Sequence, residues 1–374
     1  TAPALTINQA DDETFAGSFT GGTDARMTKT GNGTLGLSGL FSPLAGRIAL
    51  QGGTLETRSA TLFAAADLAA ASTLRVAAPV TNGLTGFFYN VTPNTNAFWT
   101  LSGMESHFAS LTPNFAAISG ASSNLFDFGV GTPYAIAGPY TSSGSRAFYF
   151  EAVWRGTITV PASGTYVFGC YGDDGFLLAI DGRQVLARNA WHASWREGTV
   201  TLEAGRHDIV LGYFQLSGGG GIRVRVRLPG QTSPVALPNA WLTPYSQTGA
   251  LAGGGALALP AADAPLRAHV TAGGAQLGGT LSGVSGTGFA KSGGGFQSLA
   301  GGGVNAFAGD VDVQGGILGF DADERLDNAA RLTVQDGATF ALAGAETVGA
   351  LAGDGTLAIG GHVYAVPFND DADS

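Results

Sequence analysis

Residues 148–168 read FYFEAVWRGTITVPASGTYVF, and this stretch decides the fold of the middle of the chain. Aromatic and β-branched residues dominate Phe148–Val160, which is the composition that strands prefer. Pro161–Gly164 consists of turn-forming residues, and alternation of apolar and polar residues resumes over Thr165–Tyr171. The pattern therefore predicts two strands joined by a tight turn.

The same pattern continues beyond this pair of strands. Asp181-Gly182 separates Phe176–Ile180 from Gln184–Leu186 and predicts a two-residue hairpin turn. Three more alternating segments follow, at Thr199–Leu202, Asp208–Phe214 and Ile222–Leu228. All five tryptophans lie between about Ala77 and Pro244. Because aromatic rings bury large areas, this region can build its own core.

Glycine-rich repeats flank this aromatic region on both sides. Thr28-Lys-Thr-Gly-Asn-Gly33 matches Ala290-Lys-Ser-Gly-Gly-Gly295, and Leu-x-Gly and Gly-Gly-x-Leu motifs follow each of them. Lys29 and Lys291, the only two lysines in the chain, occupy the same position of this repeat. A single unit of this kind cannot bury its apolar face, so neighbouring units are expected to stack in register.

Composition agrees with an all-β fold, because 60 of the 374 residues are glycine while 44% are hydrophobic. We predict a β-sandwich inserted into a glycine-rich β-solenoid or stacked β-strand stalk. The expected boundaries are 1–76 for an N-terminal repeat segment, 77–245 for the sandwich and 246–374 for C-terminal repeats.

Charge and hydropathy restrict the partners. The net charge of −10 gives no electrostatic basis for binding nucleic acid. The chain also lacks a run of 18 apolar residues, so no membrane-spanning segment is expected.

The repeats resemble the autotransporter-associated β-strand repeat of bacterial surface proteins. The Lys-x-Gly-x-Gly core, followed by Leu-x-Gly and Gly-Gly-x-Leu, carries the resemblance over roughly 15–60 and 275–362. It implies a bacterial, extracellular or surface-displayed stalk.

The aromatic region resembles the lectin-like β-sandwich domain named after the anthrax protective antigen. The motifs that carry the resemblance are Trp154–Phe168, Asp173-Asp174-Gly175, Ile180-Asp181-Gly182, Leu202-x-Ala-Gly205-x-His207 and Tyr213-Phe214, with an insertion near 96–146. Many members of that family bind carbohydrate. The resemblance implies that Asp173 and Asp174, joined by a cis peptide bond, hold a calcium ion that ligates sugar hydroxyls.

Calcium prefers six to eight oxygen ligands, and two adjacent carboxylates at a loop tip supply several of them. Further ligand-binding candidates are Asn189 and Trp191 in one loop and Gln215 and Ser217 in another. Two alternatives stay open. Gly-Asp-Asp-Gly is also a favourable turn sequence without any metal, and Trp191 either stacks on a sugar or plugs the edge of the sandwich.

Arg223, Arg225 and Arg227 alternate with Val224, Val226 and Leu228, which places the three arginines on one face of a predicted strand. That face is either an anion site or an ordinary solvated surface.

Three functions are compatible with these patterns. We expect a non-enzymatic fibre protein that assembles head-to-tail through its repeats and displays a calcium-binding, glycan-binding sandwich. The alternatives are a monomeric calcium-dependent adhesin and an accessory binding module of a secreted glycan-degrading enzyme.

Overall fold

The computed structural model describes residues 2–17, 19, 21–38, 41–58, 60–77, 82–111, 113, 115–119, 149–217, 221–262, 265–300 and 306–360. The fold is nearly all β, as predicted. The chain divides into two compact units, one formed by 1–78 with 246–374 and the other by 79–245. None of the helices in the described ranges has the length and apolar character needed to cross a membrane.

The first unit is a β-solenoid. The strands that precede the second unit are β1 (Ala4–Asn8), β2 (Glu13–Phe15), β3 (Arg26–Thr30), β4 (Thr34–Leu37), β5 (Phe41–Leu50), β6 (Gly53–Thr57), β7 (Ala60–Leu68) and β8 (Ser72–Val76).

The second unit follows in the chain with strands β9 (Leu84–Tyr89), β10 (Phe115–Ser119), β11 (Phe150–Val160), β12 (Gly164–Asp173), β13 (Gly175–Ile180), β14 (Arg183–Arg188), β15 (Ser194–Leu202), β16 (Gly205–Gln215), β17 (Gly221–Arg227), β18 (Val235–Ala236) and β19 (Leu242–Pro244). The helices in the described residues of this unit are α1 (Leu101–Ala109) and two short 3-10 helices, Thr95–Trp99 and Asn239–Trp241.

The solenoid then resumes with β20 (Ser246–Thr248), β21 (Ala250–Gly253), β22 (Ala256–Leu259), β23 (Leu266–His269), β24 (Gly274–Leu277), β25 (Leu281–Gly283), β26 (Gly288–Ser292), β27 (Phe296–Leu299), β28 (Asp310–Val313), β29 (Gly316–Phe320), β30 (Arg331–Val334), β31 (Ala338–Leu342), β32 (Ala350–Ala352) and β33 (Thr356–Ile359).

Three parallel sheets run along the solenoid. The longest has ten strands in the order β1-β3-β5-β7-β21-β24-β27-β29-β31-β33, and the others are β2-β4-β6-β8-β22-β25 and β20-β23-β26-β28-β30-β32. The β7–β21 and β8–β22 pairings join the strands that precede the second unit to those that follow it. The N-terminal and C-terminal repeats therefore stack within one chain.

The two repeat lysines form matching corners of the coil. Each side chain is fully buried, and each ammonium donates to three backbone carbonyls. Lys291 Nζ lies 3.0, 2.8 and 2.8 Å from the carbonyl oxygens of Ser292, Gly293 and Gly315. Lys29 makes the equivalent bonds, including one of 2.9 Å to Gly52. A lysine thus supplies the donors that these tightly turned carbonyls would otherwise lack.

The second unit is a two-sheet sandwich. One sheet has the path β10-β9-β11-β16-β13-β14, with β19 beside β11, and the other is β15-β12-β17-β18. Their facing side chains form a dense core around Trp154, whose ring meets Phe88 edge-on at 5.6 Å. The hairpin at Asp181-Gly182 has the two positive φ angles, 49° and 69°, that the sequence predicts for this turn.

The described part of the 96–146 insertion contains α1, which sequence patterning does not predict, and its residues 120–146 lie outside the described ranges. Two ionic contacts hold α1 on β11. Arg155 binds Glu105 with two bonds of 2.6 and 2.5 Å. His107 Nε2 lies 2.6 Å from Glu151 Oε2.

Candidate functional site

The paired aspartates lie where β12 ends and β13 begins, at one tip of the sandwich. The peptide bond between Asp173 and Asp174 is cis. The flanking glycines are needed for packing. A Cβ atom on Gly172 would lie 2.2 Å from the Phe176 ring, and one on Gly175 would lie 2.1 Å from the Phe214 ring. Small residues on both sides thus let two aromatic rings support the aspartates from below.

Contacts from β16 and the loop after it fix the pair. The side chain of Asp174 is only 1% exposed, and its Oδ2 accepts a 2.7 Å hydrogen bond from the Leu216 N–H. Beneath it, the Tyr213 hydroxyl contacts the Asp173 carbonyl oxygen, lies 2.5 Å from Gln215 Oε1 and accepts from the Gly221 N–H at 3.1 Å. One buried phenol therefore ties the aspartate turn to both ends of the 216–221 loop.

Burial is the main influence on the charge of the pair. It raises the pKa of Asp173, and the nearby His192 opposes this rise. Burial also raises the pKa of Asp174, where the Leu216 N–H lowers it and the charge of Asp173 raises it further. Two desolvated carboxylates side by side are costly without a cation, and a divalent ion would relieve that cost.

The donor set fits calcium in part. Asp173 supplies hard carboxylate oxygens from a partly exposed position, and Asp174 supplies them from a buried one. Within the described residues, however, His, Cys, Asp and Glu side chains form no group of three or more that could hold a metal. A bound calcium ion would therefore take its remaining ligands from backbone carbonyls, amide or hydroxyl oxygens, or water. Gly218–Gly220 of the adjacent loop lie outside the described residues.

The structure separates the two candidates of the 215–217 loop. Gln215 is fully buried and contacts the Tyr213 hydroxyl, so it supports the loop from inside. Ser217 is exposed beyond Leu216.

The 189–192 loop also divides its roles. Asn189 Nδ2 donates a 2.6 Å hydrogen bond to the Thr95 carbonyl and so anchors the first 3-10 helix. Trp191 is 77% exposed. An indole with that exposure does not plug the edge of the sandwich, and it is available for stacking.

Sequence patterning misses two contributors, Tyr213 and His192. Tyr213 lies in an alternating strand segment, and its inward direction is the signal that its hydroxyl needs a buried partner. His192 adjoins Trp191 in sequence, and only the fold brings it close enough to influence the pKa of both aspartates.

A comparison with protein-family models matches residues 140–239 to the PA14 domain. The chain therefore carries a PA14 domain, and the match confirms the protective-antigen-type domain that the motifs predict. The β-solenoid around it is consistent with the predicted repeats.

Several solved structures resemble part of the chain at low identity and with low TM-scores. A PA14 sugar-binding domain from an RTX adhesin is 19% identical, with a TM-score of 0.34 over 44% of this chain and 98% of that chain. The A domain of epithelial adhesin 6 from Candida glabrata, solved in complex with Galb1-3GlcNAc, is 13% identical, with a TM-score of 0.34 over 44% of this chain and 88% of that chain.

An anti-sigma factor domain-containing protein from Clostridium clariflavum is 20% identical, with a TM-score of 0.33 over 44% of this chain. The match spans about half of that protein, 48% of its length. No curated protein matches the chain.

Proposed function

We propose that this chain is an extracellular, adhesin-like protein of bacterial origin whose PA14 sandwich binds carbohydrate through a calcium ion held by Asp173 and Asp174. The observation that carries the proposal is the desolvated carboxylate pair at the tip of the domain, close to His192, whose neighbour in sequence is the exposed Trp191. The family match supports a binding module. Calcium would neutralise the pair and offer open coordination positions to sugar hydroxyls, while Trp191 would cover an apolar sugar face.

A calcium titration of the whole chain tests this proposal. Millimolar CaCl2 should raise the Tm of the sandwich relative to EDTA, because a ligand that binds only the folded state stabilises it. Asp174→Asn should abolish the rise, and Asp336→Asn, an exposed aspartate of the solenoid, should retain it. A glycan array with and without calcium then measures sugar binding. An unchanged Tm together with an empty array would refute the proposal.

Self-assembly is a second candidate, and it rests on the outermost strands described. β1 and β33 are the edge strands of the ten-stranded sheet. Leu5 and Phe15 are exposed at one end of the stack, and Leu357 and Ile359 at the other, with Ile359 77% exposed. Exposed apolar strand edges are templates for pairing with another chain. We infer head-to-tail stacking of copies through these ends.

Sedimentation velocity and electron microscopy over a concentration series test the stacking. Rods that lengthen with concentration are expected for the wild type, and Ile359→Lys should shorten them. Val284→Lys, which alters an exposed valine away from the terminal strands, serves as the matched control. Dispersed monomers of the wild type at the highest concentration would contradict the stacking.

A further inference from the structure

The outer face of the β15-β12-β17-β18 sheet carries a group of residues that the candidate calcium site does not use. On β17, Ile222, Val224 and Val226 are buried in the sandwich core. The alternation of the strand therefore turns Arg223, Arg225 and Arg227 outward. We call these three arginines, together with Tyr171 of β12 and Trp195 and Glu197 of β15, the arginine face.

Strand register arranges the face in rows. Tyr171 pairs with Trp195 on one side and with Arg223 on the other. Gly169 pairs with Glu197 and with Arg225 in the same way. Neighbouring strands lie about 4.8 Å apart, so each row brings aromatic or acidic groups within reach of a guanidinium.

Gly169 makes room for the indole in the middle of the face. A Cβ atom at this position would lie 2.1 Å from Trp195 Cζ2, so the six-membered ring of Trp195 lies directly over the Gly169 backbone. Its Nε1 donates to Glu197 Oε1 at 3.3 Å. The indole is half-buried. It fits there because Gly169, the residue beneath it, has no side chain that would clash with the ring.

The charge of the face is opposite to that of the chain. Three arginines stand against one carboxylate, and Arg227 lies 3.8 Å from Glu197, while the chain as a whole carries −10. The three arginines are half-buried rather than fully extended into water. Half-buried arginines beside a half-buried indole favour the anion site over an ordinary solvated surface.

Tyr171 connects the face to the aspartate tip. Burial and the charge of Asp173 raise the pKa of Tyr171, and Arg223 lowers it. The phenol is thus within electrostatic range of both Arg223 and Asp173. The arginine face and the candidate calcium site are neighbours on the same domain.

We propose that the arginine face binds anionic carbohydrate, with carboxylate or sulfate groups on the guanidinium groups and an apolar sugar face on Trp195. Planar guanidinium groups match such anions with paired hydrogen bonds. Aromatic rings beside them supply apolar contact area. The inference rests on the proposed carbohydrate function and specifies its substrate class, although it uses residues other than Asp173 and Asp174.

The test uses the full chain with three probes, which are polygalacturonate, dextran sulfate and neutral dextran. Binding is followed by calorimetry and tryptophan fluorescence at 20 and 300 mM NaCl. We expect at least one of the two acidic polymers, the carboxylated or the sulfated one, to bind better than neutral dextran. The affinity for that polymer should fall at high salt because exposed charges are screened. Arg225→Gln should weaken binding roughly tenfold, the cost of a lost charged hydrogen bond, and Trp195→Ala should weaken it as well.

Controls separate recognition from bulk charge. Arg183→Gln removes the same charge from β14, which belongs to the other sheet, and should bind as the wild type does. Each variant is checked for an unchanged Tm, and Trp195→Phe provides a milder substitution if Trp195→Ala unfolds. Equal weakening by Arg183→Gln, or undiminished binding of the acidic polymers by Arg225→Gln, would overturn the proposal.

Its failure is distinguishable from failure of the calcium function. Binding of acidic polymers in EDTA that only Arg225→Gln abolishes would support the arginine face, even if Asp174→Asn changed the binding of no sugar. Calcium-dependent binding of neutral glycans with no preference for acidic ones would leave the proposed function intact and refute the arginine face.

Discussion

Tyr213 places a phenol hydroxyl where the aspartate turn and the 216–221 loop meet. It contacts the carbonyl of Asp173 and the N–H of Gly221. Its expected role is therefore to position the loop beside the proposed calcium site. Partners of this outer kind typically change metal affinity tenfold or more when removed.

Tyr213→Phe is predicted to weaken calcium binding by about tenfold, while the calcium-free domain loses only about 1 kcal/mol of stability, the net worth of a buried hydrogen bond. Calorimetric titration and urea unfolding in EDTA measure the two quantities. Tyr166→Phe is the matched control, since the Tyr166 hydroxyl bonds to Ala162 in a distant turn at 2.7 Å. Equal calcium affinity for both variants would show that Tyr213 only packs.

The aspartate pair also predicts a pH dependence. Because the folded pKa of both groups is raised, the calcium-free native state binds protons more tightly than the unfolded chain does. The contribution of the pair to the stability of this state should rise as the pH falls from neutral towards the usual aspartate range near 4. Calcium competes with those protons, so the Tm difference between calcium and EDTA should shrink over the same interval. The double variant Asp173→Asn with Asp174→Asn should show no such change of the Tm difference with pH. A change that persists in this variant would mean that other groups bind the protons.

For single residues, the sequence predicts which ones carry a motif, but it does not predict which other groups contact and position them. Asp173, Asp174 and Trp191 are named as candidates by the family resemblance and by their residue types. The roles of Tyr213, His192 and the Leu216 N–H depend on loops that meet only in the folded sandwich. Gln215 shows the same limit, because its place on a strand face, rather than its amide chemistry, buries it beneath the site.

The corner of the coil is the element that the repeat motif encodes. Gly293 and Gly316 adopt positive φ angles of 77° and 64°, and Gly31 and Gly53 match them at 77° and 63°. The two corners thus share their local geometry, but they lie in different sheets of the solenoid. Lys29 lies on β3 of the ten-stranded sheet, whereas Lys291 lies on β26 of a different sheet. Sequence alignment identifies the corner correctly and gives no information about which side of the coil contains it.

Gly316→Ala is predicted to destabilise the solenoid by about 3 kcal/mol or more, because the positive φ costs about 1–2 kcal/mol and overpacking adds to it. The new Cβ would lie 2.3 and 2.4 Å from the carbonyl oxygens of Gly295 and Gly293. Gly273→Ala is the control, with a φ of 68° and open space around the new atom, and should cost only the φ term. Urea unfolding measures the free energy of unfolding of both variants. Equal losses of stability would mean that the carbonyl groups near the new Cβ move away at little cost.

Helix α1 is the element that sequence patterning misses. Its nine residues, LSGMESHFA, include glycine and two serines, which are poor helix formers. Contacts with β11 and the burial of Met104 and Phe108 hold the segment in place. No local pattern in the sequence predicts those contacts.

At the scale of the whole molecule, the sandwich is inserted in the chain between β8 and β20. The corresponding connection in a later coil takes only a few residues, Val284–Thr287 between β25 and β26. Hydrogen bonds of β7–β21 and β8–β22 continue the stack past the insertion. Each unit also has its own hydrophobic core.

Replacing residues 78–245 by a four-residue linker copied from 284–287 is therefore predicted to leave a folded solenoid. Far-ultraviolet circular dichroism should show retained β structure and one cooperative melt. Residues 246–374 alone are the control, and should melt at a lower temperature because β21 and β22 lose their partners β7 and β8. An unfolded linker variant beside a folded control would show that the solenoid depends on the sandwich.

The bridging of the insertion by β7–β21 and β8–β22 has a mechanical consequence. A pulling force applied to the two ends of the stack is transmitted from coil to coil through these hydrogen bonds, and the covalent detour through residues 79–245 stays slack. Tension along the solenoid would then leave the geometry of Asp173, Asp174 and Trp191 undisturbed until the bridging strands themselves separate.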